Sequence, residues 1–111
     1  MFQQDRVQHI LVAHDLSPDA DLALQRAAGL ARQTGARISL LHVLDDRDSS
    51  SDEQAARTLL QQRLQQNELS QIEPWIRRGQ PVEEILTQAE GLEADLLVMG
   101  ARGAGFMREL L

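Results

Sequence analysis

The sequence has 111 residues, of which 42% are hydrophobic and 25% charged, and its net charge is −6. This length fits one domain with a core of its own, and the acidic balance with only three aromatic residues argues against nucleic acid or an anionic membrane as a partner. The lack of cysteine excludes disulfides and thiolate chemistry, and no apolar run approaches a signal peptide or the ~20 residues of a membrane helix, so we expect a cytoplasmic protein.

The first half of the chain predicts two strands separated by a helix. Residues 7–13 and 38–44 are apolar runs typical of strands buried on both faces. Ser17 is placed to cap a helix whose apolar residues recur at helical spacing over 19–33. Gly35 then predicts a left-handed end to that helix.

The second half begins with a polar, acidic stretch, DDRDSSSDEQ, which we expect to be an exposed loop. Ser50 and Glu53 have the spacing of a capping box and predict a helix that extends to about residue 66. The remaining predicted elements, in chain order, are a strand over 72–77, a helix over 82–90 and a strand over 95–99.

This regular alternation of strands and helices predicts an α/β fold with a parallel sheet and right-handed crossovers, formed by residues 1–111 as one domain. Ligands of such sheets bind beyond the carboxyl ends of the strands, where the strand order reverses. The residues available there include Asp15 after the first strand, Asp45 after the second and the glycine loop 100–105 after the last.

The glycine loop, GARGAG, does not match either standard phosphate-binding motif. Gly100 and Gly105 have P-loop spacing, but Phe106 stands where the lysine should be. The dinucleotide fingerprint follows a first strand, whereas this loop follows the last one. Backbone N–H groups at a helix start, with Arg102 beside them, remain suited to an anion, and a tight turn without a ligand remains the alternative.

Four segments together resemble the universal stress protein family. They are ILVAHDLS at 10–17, LHV at 41–43, GQP at 79–81 with Glu84 after it, and DLLVMGARG at 95–103. They occur in the family's order and spacing and cover nearly the whole chain.

The resemblance implies an open, doubly wound, Rossmann-like parallel sheet with strand order 3-2-1-4-5, in a protein that is usually a dimer. The fifth strand is missing from this sequence, so we expect the chain to be an incomplete view of its domain. Nucleotide-binding members carry the motif G-x2-G-x9-G-[ST]. Gly100 and Gly103 match its first two glycines, and counting nine residues from Ala104 places the third beyond Leu111.

The resemblance also implies which residues contact an adenine nucleotide. By this resemblance, the phosphates are contacted by Gly100, Arg102, Gly103 and Gly105. Asp15 contacts the ribose and Val43 contacts the base, while Ala13 and Ser17 line the cleft. Each residue has a role that needs no ligand. Asp15 would place a favourable negative charge at a helix N-terminus, and Ser17 would be the N-cap of that helix. Val43 would be a core residue, and Arg102 a solvated charge in a loop.

The sequence also suggests two possible metal sites, each with an alternative that needs no metal. His9 and His14 point to opposite faces of one strand, which leaves a pair of His9 with His42 on the neighbouring strand, or histidines satisfied within the core. The acidic residues Asp45, Asp46 and Asp48 offer oxygen ligands to a Mg²⁺ ion that accompanies a nucleotide, and an ordinary exposed loop is the other interpretation.

The leading functional hypothesis is a module that binds ATP, ADP or AMP as a stress or metabolic sensor. No aligned nucleophile and base are evident, so we assign no catalytic residue and expect at most slow ATP hydrolysis. The alternative is a stress-response interaction domain of the same fold that forms a homodimer or higher oligomer, engages a partner protein and binds no nucleotide. An ATP pyrophosphatase is a third reading, but its Ser-Gly-Gly loop after the first strand is replaced here by HDLS.

Overall fold

The computed structural model describes residues 6–100, which form a four-stranded parallel sheet with three helices. The elements in chain order are β1 (His9–Ala13), α1 (Pro18–Thr34), β2 (Arg37–Leu44), α2 (Ser50–Gln66), β3 (Trp75–Arg78), α3 (Pro81–Gly91) and β4 (Leu96–Met99). The strand order is β3-β2-β1-β4, as the family resemblance implies.

Helices cover both faces of the sheet, which confirms the doubly wound architecture. On one face, α1 and α2 bury Leu24 and Leu60 against Ile10 and Leu40. On the other face, Ile85 of α3 packs against apolar residues of β1 and β2. The central strand β1 is buried along its whole length, because it pairs with β2 and β4 and is covered on both faces.

The ends of α1 follow the predicted chemistry. Ser17 is the N-cap, and its hydroxyl oxygen accepts a hydrogen bond from the Ala20 N–H (3.2 Å). Pro18 occupies the first helical position, where its missing N–H costs nothing. Gly35 ends the helix at φ 75°, and its N–H donates to the Ala31 carbonyl.

Two boundaries differ from the sequence predictions. The capping box of α2 is formed by Ser49 and Asp52 rather than by Ser50 and Glu53, one residue earlier than predicted. β3 begins at Trp75, so Pro74 precedes the strand instead of lying in it. The missing N–H of proline accounts for the later start.

Asp95 closes the amino end of the sheet. One of its carboxylate oxygens accepts hydrogen bonds from the backbone N–H groups of Gln8 (2.8 Å) and His9 (2.9 Å). Its own N–H donates to the His9 carbonyl. These bonds fix β4 beside β1. Within residues 6–100, no helix combines the length and apolar character needed to cross a membrane.

Gly100 lies where β4 ends against the first turn of α1. A Cβ at this position would stand 2.8 Å from the Ala20 nitrogen and 2.9 Å from the Asp19 carbonyl carbon. Both are backbone atoms, so a side chain here requires the helix or the strand end to move. Gly100 therefore has a packing role that is independent of any ligand.

We expect Ser49→Ala to lower the free energy of unfolding by about 1 kcal/mol, because it removes the hydroxyl that caps α2. Ser50→Ala is the matched control and should stay within about 0.5 kcal/mol of the unsubstituted protein. Urea unfolding of the two variants measures the difference. A larger loss for Ser50→Ala would place the cap where the sequence predicted it.

We expect Gly100→Ala to destabilise the fold by about 1–3 kcal/mol, since the new methyl group overpacks the contact with α1. Gly29→Ala serves as the control: its Cβ meets nothing within 4 Å, and alanine should stabilise the interior of α1 by about 1 kcal/mol. Thermal unfolding of both variants provides the comparison. Equal stability of Gly100→Ala and the unsubstituted protein would refute the tight contact.

Candidate functional site

The strand order reverses between β1 and β4. From β1 the chain runs outward through β2 to β3 and then returns to the other side of β1 as β4. Ala13 pairs with Met99, so the turn that follows β1 and Gly100, which follows β4, lie side by side at the carboxyl end of the sheet. This is the position at which open parallel sheets bind their ligands.

The turn after β1 is held by Asp15 and Ser17. The Asp15 Oδ1 accepts hydrogen bonds from the Ser17 N–H (3.1 Å) and from the Ser17 hydroxyl. The Ser17 hydroxyl oxygen in turn caps α1 through the Ala20 N–H. Ser17 therefore has the capping role that the sequence suggested, and half-buried Asp15 places its negative charge at the N-terminus of a helix.

His14 lies beneath this turn and is completely buried. Its Nδ1 accepts a hydrogen bond from the Leu16 N–H (2.9 Å), and its Nε2 donates to the Asp21 Oδ1 (2.8 Å). Because Nδ1 is an acceptor, the ring is the neutral tautomer with its proton on Nε2. Burial lowers the pKa of His14 below its ordinary value of 6.5, against the opposing effect of Asp21. His14 is therefore neutral at pH 7.

Two further contacts connect His14 to neighbouring elements. Arg63 of α2 donates from Nε to the same Asp21 Oδ1 (3.0 Å). The backbone carbonyl of His14 accepts from Nδ1 of His42 in β2 (2.7 Å). His14 thus joins the turn to α1, α2 and β2. The sequence suggested that His14 either binds a metal or is satisfied within the core, and it did not indicate these partners. A histidine at the end of an otherwise apolar strand was the available signal.

Val43 presents its side chain to the core and its backbone to the crevice. The side chain is 7% exposed and packs on the face covered by α3. The Leu41 carbonyl accepts from the His14 N–H on the β1 side, and the Leu44 carbonyl accepts from the Gly79 N–H on the β3 side. Because backbone groups alternate along a strand, the N–H and C=O of Val43 point to the β1 side, beyond the end of β1.

The other predicted site residues divide into two groups. Ala13 is fully buried in the core, so only its backbone is available to a ligand. Gly100 lies at the crevice, against the N-terminus of α1. Arg102, Gly103 and Gly105 lie outside the described residues.

The histidines other than His14 are satisfied by the protein. Nδ1 of His9 donates to the Leu92 carbonyl (3.0 Å), and its Nε2 accepts from the Ser39 hydroxyl (2.8 Å). His42 lies opposite His14, not beside His9, because the strand register brings Leu41 to Ala13. The suggested pairing of His9 with His42 is therefore wrong.

The acidic loop after β2 is stabilised by arginine. The Asp45 carboxylate pairs with Arg47 at 3.1 Å, and this hydrogen-bonded partner lowers the pKa of Asp45. Arg78 donates to the carbonyls of Asp45 and Asp48. In the part of the chain from residue 6 to 100, no cluster of three histidine, aspartate or glutamate side chains has the arrangement of a metal site.

Comparison with known proteins gives consistent matches. A model described as the universal stress protein family matches residues 6–111. A Thermus aquaticus protein, "Universal stress protein in QAH/OAS sulfhydrylase 3'region", is 32% identical over 112 residues, which cover 91% of this chain and 82% of that protein.

Solved structures of universal stress proteins share the fold. UspA from Lactobacillus plantarum superposes with a TM-score of 0.79 at 26% identity, over 91% of this chain and 81% of that one. The universal stress protein from Archaeoglobus fulgidus in complex with dAMP has a TM-score of 0.74 at 24% identity, over 93% and 88% of the two chains. Together with the family match over residues 6–111, these similarities show that the chain belongs to the universal stress protein family.

Proposed function

We propose that this protein binds an adenine nucleotide in the crevice between the ends of β1, β2 and β4, and that it acts as a sensor module. The observation that carries the proposal is the meeting of the Asp15 turn and Gly100 at the N-terminus of α1, where the strand order reverses. A related protein of the same fold, from Archaeoglobus fulgidus, was solved with dAMP bound.

The ribose is assigned to Asp15. The hydrogen bonds that Asp15 accepts from Ser17 both use Oδ1, which leaves Oδ2 as an acceptor for a ribose hydroxyl. Since Asp15 is half-buried and fixed to Ser17, little side-chain entropy remains to be lost on binding.

The adenine edge is assigned to the backbone of Val43. Its N–H and C=O face the crevice beyond the end of β1, and adenine carries both donors and acceptors on its edge. Because the adenine is bound by backbone atoms, the side chain of Val43 needs only to pack in the core. The phosphates are assigned to Gly100 and to Arg102, Gly103 and Gly105, with the charge of Arg102 favouring the anion.

Catalysis is not part of the proposal beyond slow ATP hydrolysis. Both ring nitrogens of His14, the histidine nearest the turn, are hydrogen-bonded within the protein. A general base must instead reach the attacking water. Mg²⁺, if it accompanies ATP, is assigned to the phosphates, because Asp45 is paired with Arg47.

Nucleotide binding should raise the melting temperature. A ligand at about 100 times its Kd stabilises the native state by about 2.7 kcal/mol. We therefore expect ATP, ADP or AMP at millimolar concentration to shift the thermal unfolding of the full chain upward. If none of the three shifts the melting temperature, the proposed function is wrong.

Asp15→Asn should weaken this binding about tenfold, or about 1.4 kcal/mol. The asparagine Oδ1 still accepts from Ser17, so the turn is kept while the ribose acceptor is lost. Glu73→Gln is the matched control, because Glu73 is exposed and precedes β3 at the opposite end of the sheet. Calorimetric titration with AMP measures both variants. Equal affinities for Asp15→Asn and Glu73→Gln would remove Asp15 from the site.

Self-association is a second candidate function, favoured by β4. This strand is an edge of the described sheet, and its four apolar residues are only partly buried. Apolar edge strands pair with other chains. We expect light scattering to give at least twice the chain mass of 12.4 kDa. A mass of one chain at ~100 μM protein would contradict this candidate, since pairing strengthens with concentration.

A further inference from the structure

We propose that the neutral imidazole of His14 locks the turn of residues 14–17 in its nucleotide-binding conformation, and that protonation of His14 releases the turn and weakens binding. The expected loss of nucleotide affinity rests on the proposed function. The conformational lock itself stands on the contacts of the buried ring with Leu16 and Asp21.

Leu16 is the residue that needs the lock. Its backbone φ is 69°, a left-handed conformation that leucine rarely adopts. The hydrogen bond from its N–H to His14 Nδ1 stabilises this conformation at the centre of the turn. Asp15 and Ser17 flank Leu16, so the direction of the Asp15 carboxylate depends on the same backbone.

Protonation is incompatible with this bond. An imidazolium ring has N–H groups at both nitrogens and no acceptor. The new proton on Nδ1 would face the N–H of Leu16, donor against donor. Since the ring is completely buried, it cannot turn toward solvent without moving the chain around it. The hydrogen bond to Leu16 must break.

The charged and titratable groups around His14 come from each element packed on it. Asp21 of α1 bonds to Nε2 and favours the imidazolium, but Arg63 of α2 shares the same oxygen and offsets part of that charge. Asp15 in the turn also favours protonation, whereas His42 of β2 opposes it. Burial outweighs these effects, so the pKa of His14 is lowered and the ring is neutral above pH 6.5.

The sign of the pH dependence follows. A histidine whose pKa is lowered by folding contributes its full stability above the unfolded pKa, near 6.5, and loses it as the pH falls toward the folded pKa. If the nucleotide binds only the locked turn, proton and nucleotide compete. At pH values below the pKa of His14, the nucleotide affinity then decreases by up to tenfold for each pH unit.

His14→Asn provides the decisive comparison. Asparagine can place its side-chain oxygen near the position of Nδ1, where it accepts from Leu16, and it does not titrate. AMP affinity is measured by calorimetric titration for the unsubstituted protein and for His14→Asn, at pH 7.5 and at one pH unit below the midpoint of the His14 imidazole titration. The phosphate of AMP titrates identically in both series, so the difference between them belongs to His14.

We expect the affinity of the unsubstituted protein to fall about tenfold more than that of His14→Asn between the two pH values, because the lower one lies a full pH unit below the His14 midpoint. Equal losses would overturn the proposal. If the unsubstituted protein binds no AMP at pH 7.5, the proposed function fails and the binding half of the inference fails with it.

The lock is tested separately by NMR of the ligand-free protein. The imidazole ¹⁵N spectrum of His14 at pH 7.5 should show a bare Nδ1 and a protonated Nε2. The Leu16 amide resonance should move with the titration of His14 in the unsubstituted protein and stay constant in His14→Asn. A protonated Nδ1 at pH 7.5, or a Leu16 amide resonance that does not shift as His14 titrates, would contradict the proposed lock whatever the nucleotide result.

Discussion

The structure depends on the two-sided pairing of β1 with β2 and β4. This pairing places β1 at the centre of the sheet. Because the apolar side chains on both faces of β1 are buried, helices cover both faces of the sheet. The amino end of the pairing is closed by the carboxylate of Asp95. The strand order reverses between β1 and β4, and the crevice that we assign to a nucleotide lies at the carboxyl ends of these strands.

Polar contacts build the turn at the carboxyl end of the apolar strand β1. His14 follows directly after the buried strand, and its side chain is completely buried. Its ring is satisfied by Leu16 and Asp21, and Asp21 reaches Arg63 in another helix. The turn is therefore built by hydrogen bonds that a ligand does not have to supply, and this pre-organisation reduces the cost of binding.

The fold was predictable from the sequence because its signals are local. Ser17 and Gly35 mark the ends of α1 through cap chemistry, and the apolar runs identify the buried strands. The start of α2 was misplaced because three successive serines precede two successive acidic residues, so Ser49 with Asp52 and Ser50 with Glu53 have the same spacing.

The candidate site was only partly predictable. The family resemblance supplied Asp15 and Val43, and the structure adds that Asp15 bonds Ser17 through Oδ1 and that the backbone of Val43 is directed to the β1 side. The packing role of Gly100 and the bonds of His14 to Asp21 and, through it, Arg63 depend on residues that are distant in sequence and that only the folded chain brings together. No spacing rule for a single helix or strand encodes such contacts.

The central claim is that an adenine nucleotide occupies the carboxyl end of this sheet. Amide chemical-shift mapping on the full chain during titration with AMP tests it most directly. We expect the largest shifts on residues 14–17, Val43 and Gly100, while Gln8 and Asp95 at the amino end stay unchanged. Shifts concentrated at the amino end, or none at saturating nucleotide, would contradict it.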